Sequence, residues 1–272
     1  MKKNIRKVLS RFIPKGKFKE IIKLWFYNKS ISGNIKFGLR GDNYITTFEN
    51  KQFVTTSPLY RIVEDFKFYT HFYEPKEADI IIDAGANQGF VSMYFSSLLN
   101  DKGSVYSFEP DNQNIDIIKE NIALNPSYSA PIKIVDLLLW NKDEMVKFYE
   151  AGSVGFSAHY IPDSDKIVLK RAITIDQWVN ENNISKIDFI KMDIEGAEIE
   201  AIEGAQETIQ KFKPNFAIAS YHIIDGEPTY IKLEEQFNQI GYPYKTIHFN
   251  HKEIITFAGP SVAQNEIAHN TR

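Results

Sequence analysis

The chain contains no cysteine, which excludes disulfides, thiolate-held zinc, iron–sulfur clusters and a cysteine nucleophile. No stretch approaches the ~18 uninterrupted apolar residues that a membrane-spanning helix needs. Charge of either sign is not in surplus: 32 Lys and Arg stand against 35 Asp and Glu, leaving −3 over 272 residues. What is present is 43% hydrophobic and 25% charged residues, a globular composition that decides against disordered or collagen-like chains. The length suits one large domain with a small appendage.

The charge is unevenly spread. Residues 1–29 carry ten Lys and Arg and one acid, Glu20, so they sum to +9 against −12 for the remainder. Ile5, Val8, Leu9, Phe12 and Ile13 recur at helical spacing among these cations. Arg11 interrupts the apolar stretch and no small-residue cleavage site comes after it, so this is not a secretory signal. Two readings stay open: a surface helix on anionic lipid, or a solvated helix packed on the domain. The acidic remainder argues against a nucleic-acid arm. The expected location is cytoplasmic, with residues 1–29 able to touch the inner face of a membrane.

Three short strands are expected at Ile35–Phe37, Asn43–Phe48 and Gln52–Thr55. Ser57-Pro58 then opens a helix with a stripe of Leu59, Ile62, Val63, Phe66 and Tyr69, closed by Pro75. From Asp79 onward, short apolar runs alternate with helical segments. The strands are expected at Asp79–Asp83, Ser104–Phe108, Ile132–Leu139, Ile187–Met192 and Asn215–Ser220. The helices are expected at Gly89–Leu99, Asn112–Leu124, Ile175–Asn182, Ile199–Phe212 and Thr229–Ile240. Such alternation implies an α/β fold, a mostly parallel sheet with helices on both faces. Tyr244–Phe249 and Glu253–Ala258 read as a hairpin, so the last strand enters antiparallel, and Ser261–Arg272 as a frayed polar tail. The domain expectation is 1–75 for arm and extension, 76–260 for the main domain and 261–272 for the tail.

The strongest site signal is Ile82-Asp83-Ala84-Gly85-Ala86-Asn87-Gln88-Gly89, a buried strand turning into a helix. In open α/β sheets ligands sit beyond the carboxyl ends of the strands, at such turns. Gly85 would admit a ligand close to the backbone, and Glu109, at the end of the next strand, suits ribose hydroxyls. The spacing is not the Gly-x-Gly-x-x-Gly that pyrophosphates favour. Gly33–Gly38 has phosphate-loop spacing, but Leu39 stands where Lys is needed, so ATP hydrolysis is unsupported. A nucleoside without a pyrophosphate fits better, and S-adenosylmethionine offers both ribose hydroxyls and an amino-acid end.

Two further groups lie at strand ends. Lys191-Met192-Asp193-Ile194-Glu195-Gly196-Ala197-Glu198 brings three carboxylates, of which Asp193 would face the reactive end of the cofactor. Glu198 reads first as a helix-start anion favoured by the dipole. The trio could hold a divalent metal, but no second cluster with ligand spacing supports one, and none is expected. Tyr221-His222 places an imidazole on the same sheet edge, able to accept a hydroxyl proton.

Taken together, Ile-Asp-Ala-Gly-Ala-Asn-Gln-Gly (82–89), Phe-Glu-Pro (108–110), Thr174-Ile175-Asp176, the 187–198 string, Glu203-Gly204-Ala205 and Lys213-Pro214 leading to Tyr221-His222 are distinctive. They resemble the FkbM family of S-adenosylmethionine-dependent methyltransferases, from about Asp79 to Pro260. The resemblance implies a seven-stranded Rossmann-like methyltransferase fold with a C-terminal antiparallel hairpin, and O-methylation of sugar or polyketide hydroxyls. On this reading Asp83, Gly85, Ala86, Asn87 and Gly89 seat the methionine end of the cofactor. Glu109 holds ribose, and Leu138 lines the adenine pocket. His222, oriented by Asp193, takes the proton of a small-molecule or glycan hydroxyl. Trp140 stands where a small residue is expected after the third strand. Two rivals are carried forward: a metal-dependent glycosyltransferase using Asp163 and Asp165, and a non-catalytic protein of the same fold that binds the cofactor.

Overall fold

The computed structural model describes residues 16–31, 35–60, 62–63, 66–150, 167–249 and 253–270, with side chains to 265. The amphipathic segment 5–13, the Gly-rich stretch 152–159, Asp163 and Asp165, and the hairpin turn 250–252 lie outside the described residues. The chain divides into two compact units after Val63. The division comes earlier than residue 75 because 66–75 packs with the second unit: the Tyr73 ring stacks on Phe189 at 5.4 Å, and its hydroxyl donates to Asp79 at 2.7 Å.

The first unit holds helix α1 (Lys17–Ser30), which the sequence reading did not give, and an antiparallel sheet of β1 (Lys36–Arg40), β2 (Asn43–Phe48) and β3 (Lys51–Thr55), whose strands lie close to expectation. Asn28 exchanges two hydrogen bonds with the backbone of Phe37, at 2.8 and 2.9 Å, and Tyr27 stacks on Tyr60 at 4.2 Å. Of the side chains of α1 only Leu24 is buried. Phe18, Ile21 and Trp25 are 67%, 54% and 60% exposed.

The expected stripe helix is only a single turn of the second unit, α2 (Phe66–Tyr69); Leu59 to Val63, at the end of the first unit, form a hydrogen-bonded turn. Leu59, Val63, Phe66 and Tyr69 are buried as the stripe implies, whereas Ile62 is exposed. The main sheet takes β4 (Ile80–Ala84), β5 (Ser104–Phe108) and β6 (Ile132–Val135), then β10 (Phe189–Met192), β11 (Asn215–Ala219), β14 (Tyr244–His248) and β15 (Ile254–Ala258). Its order is β14-β15-β11-β10-β4-β5-β6, and β15 runs antiparallel to both neighbours. The mostly apolar runs of β4, β10 and β11, in which Asp83, Lys191 and Asn215 are the exceptions, result from burial on both faces: Ile81, Ile82, Ile190 and Ile218 are fully enclosed. Each such side chain contributes ~1.5–3 kcal/mol.

Helices α3 (Phe90–Leu98), α4 (Asn112–Ala123), α5 (Ile175–Glu181) and α8 (Thr229–Gln239) form as expected. Asp111 caps α4 by accepting from Gln113 and Asn114, and Thr174 caps α5 by accepting from Gln177. The expected helix 199–212 is two helices, α6 (Glu198–Glu203) and α7 (Gln206–Phe212). The break lies at Gly204, where any side chain would run into the carbonyl of Trp140, and Asp176 caps α7 by accepting from Glu207 and Thr208.

Ile132–Leu139 is likewise not one strand. After Val135 the chain turns, and β7 (Leu138–Leu139) joins a second sheet with β8 (Glu144–Tyr149) and β9 (Ile167–Ile173), in the order β7-β9-β8. This sheet escapes sequence reading because β8 buries only Phe148 and shows little alternation. Two-residue strands β12 (Ile223–Ile224) and β13 (Glu227–Pro228) pair ahead of α8. The tail is not frayed: Pro260–Asn270 forms α9, with Ser261 and Val262 buried and Ser261 N donating to Asn215 Oδ1 at 2.9 Å.

Candidate active site

The chain runs from β4 outward to β5 on one side, and β10 returns to pair with β4 on the other, so a crevice opens between the carboxyl ends of these strands. The turn after β4 is braced from both sides. Gly85 N and Ala86 N both donate to Phe108 O at 3.0 Å, and Asn87 N donates to Glu109 Oε2 at 2.7 Å. Gly89 N bonds Ala86 O before α3 begins, and Asn121 Nδ2 holds Gln88 O. Gly85 takes φ 74°, and a Cβ there would overlap the backbone carbonyl of Asp193. A side chain at Gly85 is therefore excluded by the neighbouring strand end, a constraint additional to the close ligand approach expected from the sequence.

Asp83 does not line the crevice. It is fully buried, accepts from Ser92 Oγ at 2.5 Å and pairs with Lys191 Nζ at 3.1 Å. The same ammonium reaches Gly85 O at 2.9 Å and Ala84 O at 3.2 Å. Asp83 and Lys191 thus form an internal strut under the turn. Sequence inspection could find Lys191 only as part of the motif string, because its partner is 108 residues away and in register only once β4 and β10 pair.

Glu109 is nearly buried; its Oε2 accepts Asn87 N, and its Oε1 accepts Asp111 N at 2.9 Å. Burial pushes its carboxyl up to about 7, against the lowering effect of those amide bonds. It lines a narrow cavity of about 50 Å³ with Gly85, Pro110, Leu138, Phe148 and Ile194, and Asp193 and Glu195 stand on its acidic side. That is an apolar slot with a few polar groups, the usual form of a small-molecule site. Leu138 lines it as expected. Trp140 also lines it, while Phe148, brought in by the second sheet, was missed.

Beyond the slot, the three carboxylates and the imidazole meet. His222 is nine-tenths buried; Nδ1 lies 3.1 Å from Glu198 Oε1, and Nε2 lies 3.6 Å from both Asp193 Oδ1 and Glu195 Oε2. The orienting carboxylate is thus Glu198 rather than Asp193. Glu198 is fully enclosed, and its Oε1 also accepts Ile194 N at 2.9 Å and Gly196 N at 3.3 Å. Asp193 takes the hydroxyl of Tyr69 at 3.2 Å and that of Tyr221 at 3.5 Å. Burial alone would lower the His222 pKa, but Glu198, Asp193 and Glu195 outweigh it and raise it to about 9. Burial first, then the same carboxylates, holds Tyr221 well above its usual range, so it stays a donor. Glu195 belongs to the carboxylate trio of the 191–198 string, whereas Tyr69 was read only as part of an apolar stripe, since only the fold brings it here.

Comparison with known proteins gives one answer. The methyltransferase FkbM domain matches residues 83–257. Hexuronic acid methyltransferase AglP of Haloferax volcanii is 26% identical over 149 residues, 55% of this chain and 58% of that protein. The 2-O-methyltransferase NoeI of Sinorhizobium fredii is 27% identical over 149 residues, 50% of this chain and 61% of that protein. The matches thus span about three fifths of each relative. Among solved structures, methyltransferase FkbM from Methylobacillus flagellatus KT superposes with TM-score 0.52 at 18% identity, over 70% of this chain and 45% of that one.

Proposed function

The chain belongs to the FkbM methyltransferase family, and from that premise we propose that it moves a methyl group from S-adenosylmethionine to a hydroxyl oxygen of a sugar or glycan. The observation that carries this is the slot beside Gly85, apolar along Leu138, Phe148 and Ile194 and acidic at Glu109, Asp193 and Glu195. Adenine suits the apolar walls, ribose the Glu109 carboxylate, and the cationic sulfonium end the acidic side. The braced turn 85–89 seats the methionine portion. The sugar assignment draws support from the hexuronic acid methyltransferase, and attack by oxygen from the 2-O-methyltransferase.

Catalysis is chiefly alignment, since the donor already carries an activated methyl group. The acceptor oxygen attacks in line, the carbon–sulfur bond breaks as the oxygen–carbon bond forms, and the donor leaves as the neutral thioether. Asp193 and His222 hold the acceptor hydroxyl, and its proton departs along this acidic edge. The test is calorimetry with S-adenosylmethionine and S-adenosylhomocysteine, and then radiolabelled methyl transfer to glycans with and without hexuronic acid. Micromolar binding with label in glycan is the expected result. Affinity for a nucleotide sugar with no affinity for either adenosyl compound would replace this reading with glycosyl transfer. Cofactor binding without transfer to any acceptor would make it a binding protein.

A surface contact with anionic lipid is a second element of the proposal. Its support is α1, where Phe18, Ile21 and Trp25 stand exposed at helical spacing among Lys17, Lys19, Lys23 and Lys29. No helix among the described residues is long and apolar enough to cross a membrane.

A further inference from the structure

The cluster at the end of β10 has a geometry that hydrogen bonding does not account for. Nδ1 of His222 faces Glu198 Oε1 at 3.1 Å, but Nε2 has no hydrogen-bond partner although it is shielded from solvent. Nε2 faces two carboxylate oxygens from different residues, each 3.6 Å away, too far to bond and too close to admit an ordinary side chain between them. Glu198 Oε2, on a side chain with no exposure, is likewise without a partner. Asp193, Glu198 and His222 each bring one donor atom within 4.8 Å of the others. Metal–ligand bonds of about 2.0–2.2 Å put neighbouring donors roughly 3.0–3.6 Å apart, which matches the 3.6 Å that separates Nε2 from Asp193 Oδ1 and from Glu195 Oε2.

We propose that this cluster is a divalent-cation site, with His222 Nε2 and the carboxylates of Asp193 and Glu195 as ligands. Glu198 stands behind the ring: its Oε1, 3.1 Å from Nδ1, keeps the proton on that nitrogen and leaves the Nε2 lone pair for the ion. Tyr69, on Asp193 Oδ2, turns Oδ1 toward His222 in the same way. One imidazole with two carboxylates, in a chain without cysteine, suits ions of the manganese, iron(II) or zinc class over the softer metals.

This rests on the reading of the adjoining slot as the methyl-donor site and deepens it. An ion here would bind the acceptor hydroxyl, together with a neighbouring sugar oxygen, and lower the hydroxyl pKa. The proton released goes to solvent past Glu195, the methyl carbon exchanges sulfur for oxygen, and no redox change occurs. It also supplies a reason for gathering three carboxylates at the mouth of a site whose donor brings only a single sulfonium.

The experiment takes the full chain stripped with EDTA and titrates it with Mn²⁺, reading the free-ion signal by electron paramagnetic resonance, with calorimetry of S-adenosylhomocysteine in parallel. One Mn²⁺ per chain is expected, bound in the micromolar range. His222→Gln and Asp193→Asn should each weaken it at least tenfold, and Glu198→Gln about tenfold. Circular dichroism melts confirm that each variant is folded. Where Asp193→Asn does not fold, His222→Gln alone decides. No stoichiometric Mn²⁺, or Mn²⁺ affinity indifferent to His222→Gln, overturns the site. Mn²⁺ bound as expected without adenosyl binding leaves the ion site standing and removes the methyl-transfer reading. Adenosyl binding with EDTA-indifferent turnover and no Mn²⁺ does the reverse.

Discussion

The α-carbon of Gly85 faces the backbone carbonyl of Asp193 so closely that a methyl group cannot be inserted between them. The two motifs most prominent in the sequence are therefore in contact through backbone. Gly85→Ala adds that overlap to a φ of 74°, which costs ~1–2 kcal/mol for an L-residue. The variant should lose about 3 kcal/mol or more by urea denaturation and bind S-adenosylhomocysteine at least tenfold more weakly. Wild-type stability and affinity together would refute this packing.

The strut between Asp83 and Lys191 makes a second forecast. Lys191→Met strands a fully buried carboxylate and should cost roughly 3–5 kcal/mol. Adding Asp83→Asn removes the stranded charge, so the double variant should recover at least half of that loss. Denaturation midpoints of the three variants give the cycle, and simple additivity would contradict a direct pair.

Glu109 sets a pH dependence. On the proposed reading its ionised form accepts hydrogen bonds from ribose, and burial raises its pKa to about 7. Affinity for S-adenosylhomocysteine should be level above pH 8 and fall by up to about tenfold per unit below pH 7. The sign for stability is opposite. A carboxyl raised in the fold adds stability below its ordinary pKa of about 4.5, and this is lost as pH climbs through about 7. Calorimetry at pH 6, 7 and 8 would show an error if affinity were flat.

For α1, flotation with phosphatidylserine-containing vesicles is the measure. Phe18, Ile21 and Trp25 can each contribute ~1.5–3 kcal/mol on entering lipid, and each nearby Lys about 1 kcal/mol on an anionic surface. The chain should float with anionic vesicles and stay behind with neutral ones. Replacing the three apolar residues with Ser should cut the floated fraction at least fivefold; equal flotation would sink the idea.

Strand–helix alternation from Asp79 onward was legible because strands buried on both faces leave unbroken apolar runs, as in Ile80-Ile81-Ile82. The positions of Gly85, Glu109 and Leu138 around one slot came from the same logic. What could not be read was long-range. Lys191 is assigned to Asp83 only by strand register, and Glu198 to His222 only by the return of β11 beside β10. The second sheet was missed because β8 and β9 are half-exposed, so their side chains carry little periodic signal. Helix 199–212 looked continuous because the groups that meet it at the break, the carbonyl of Trp140 beside Gly204 and the Asp176 carboxylate that caps α7, are remote in sequence.

The second sheet touches the main one through a hinge only two residues long: β6 ends at Val135, and Leu138 is already paired with Ala172 of β9. The strand ends bring Gly85, Glu109 and Asp193 to the slot, and β8 brings Phe148 from the far side of that link. Exchanging β8 and β9 for those of a relative should thus reshape one wall of the slot while the strand-end groups stay in place. The slot is a composite, with a fixed floor and one exchangeable panel.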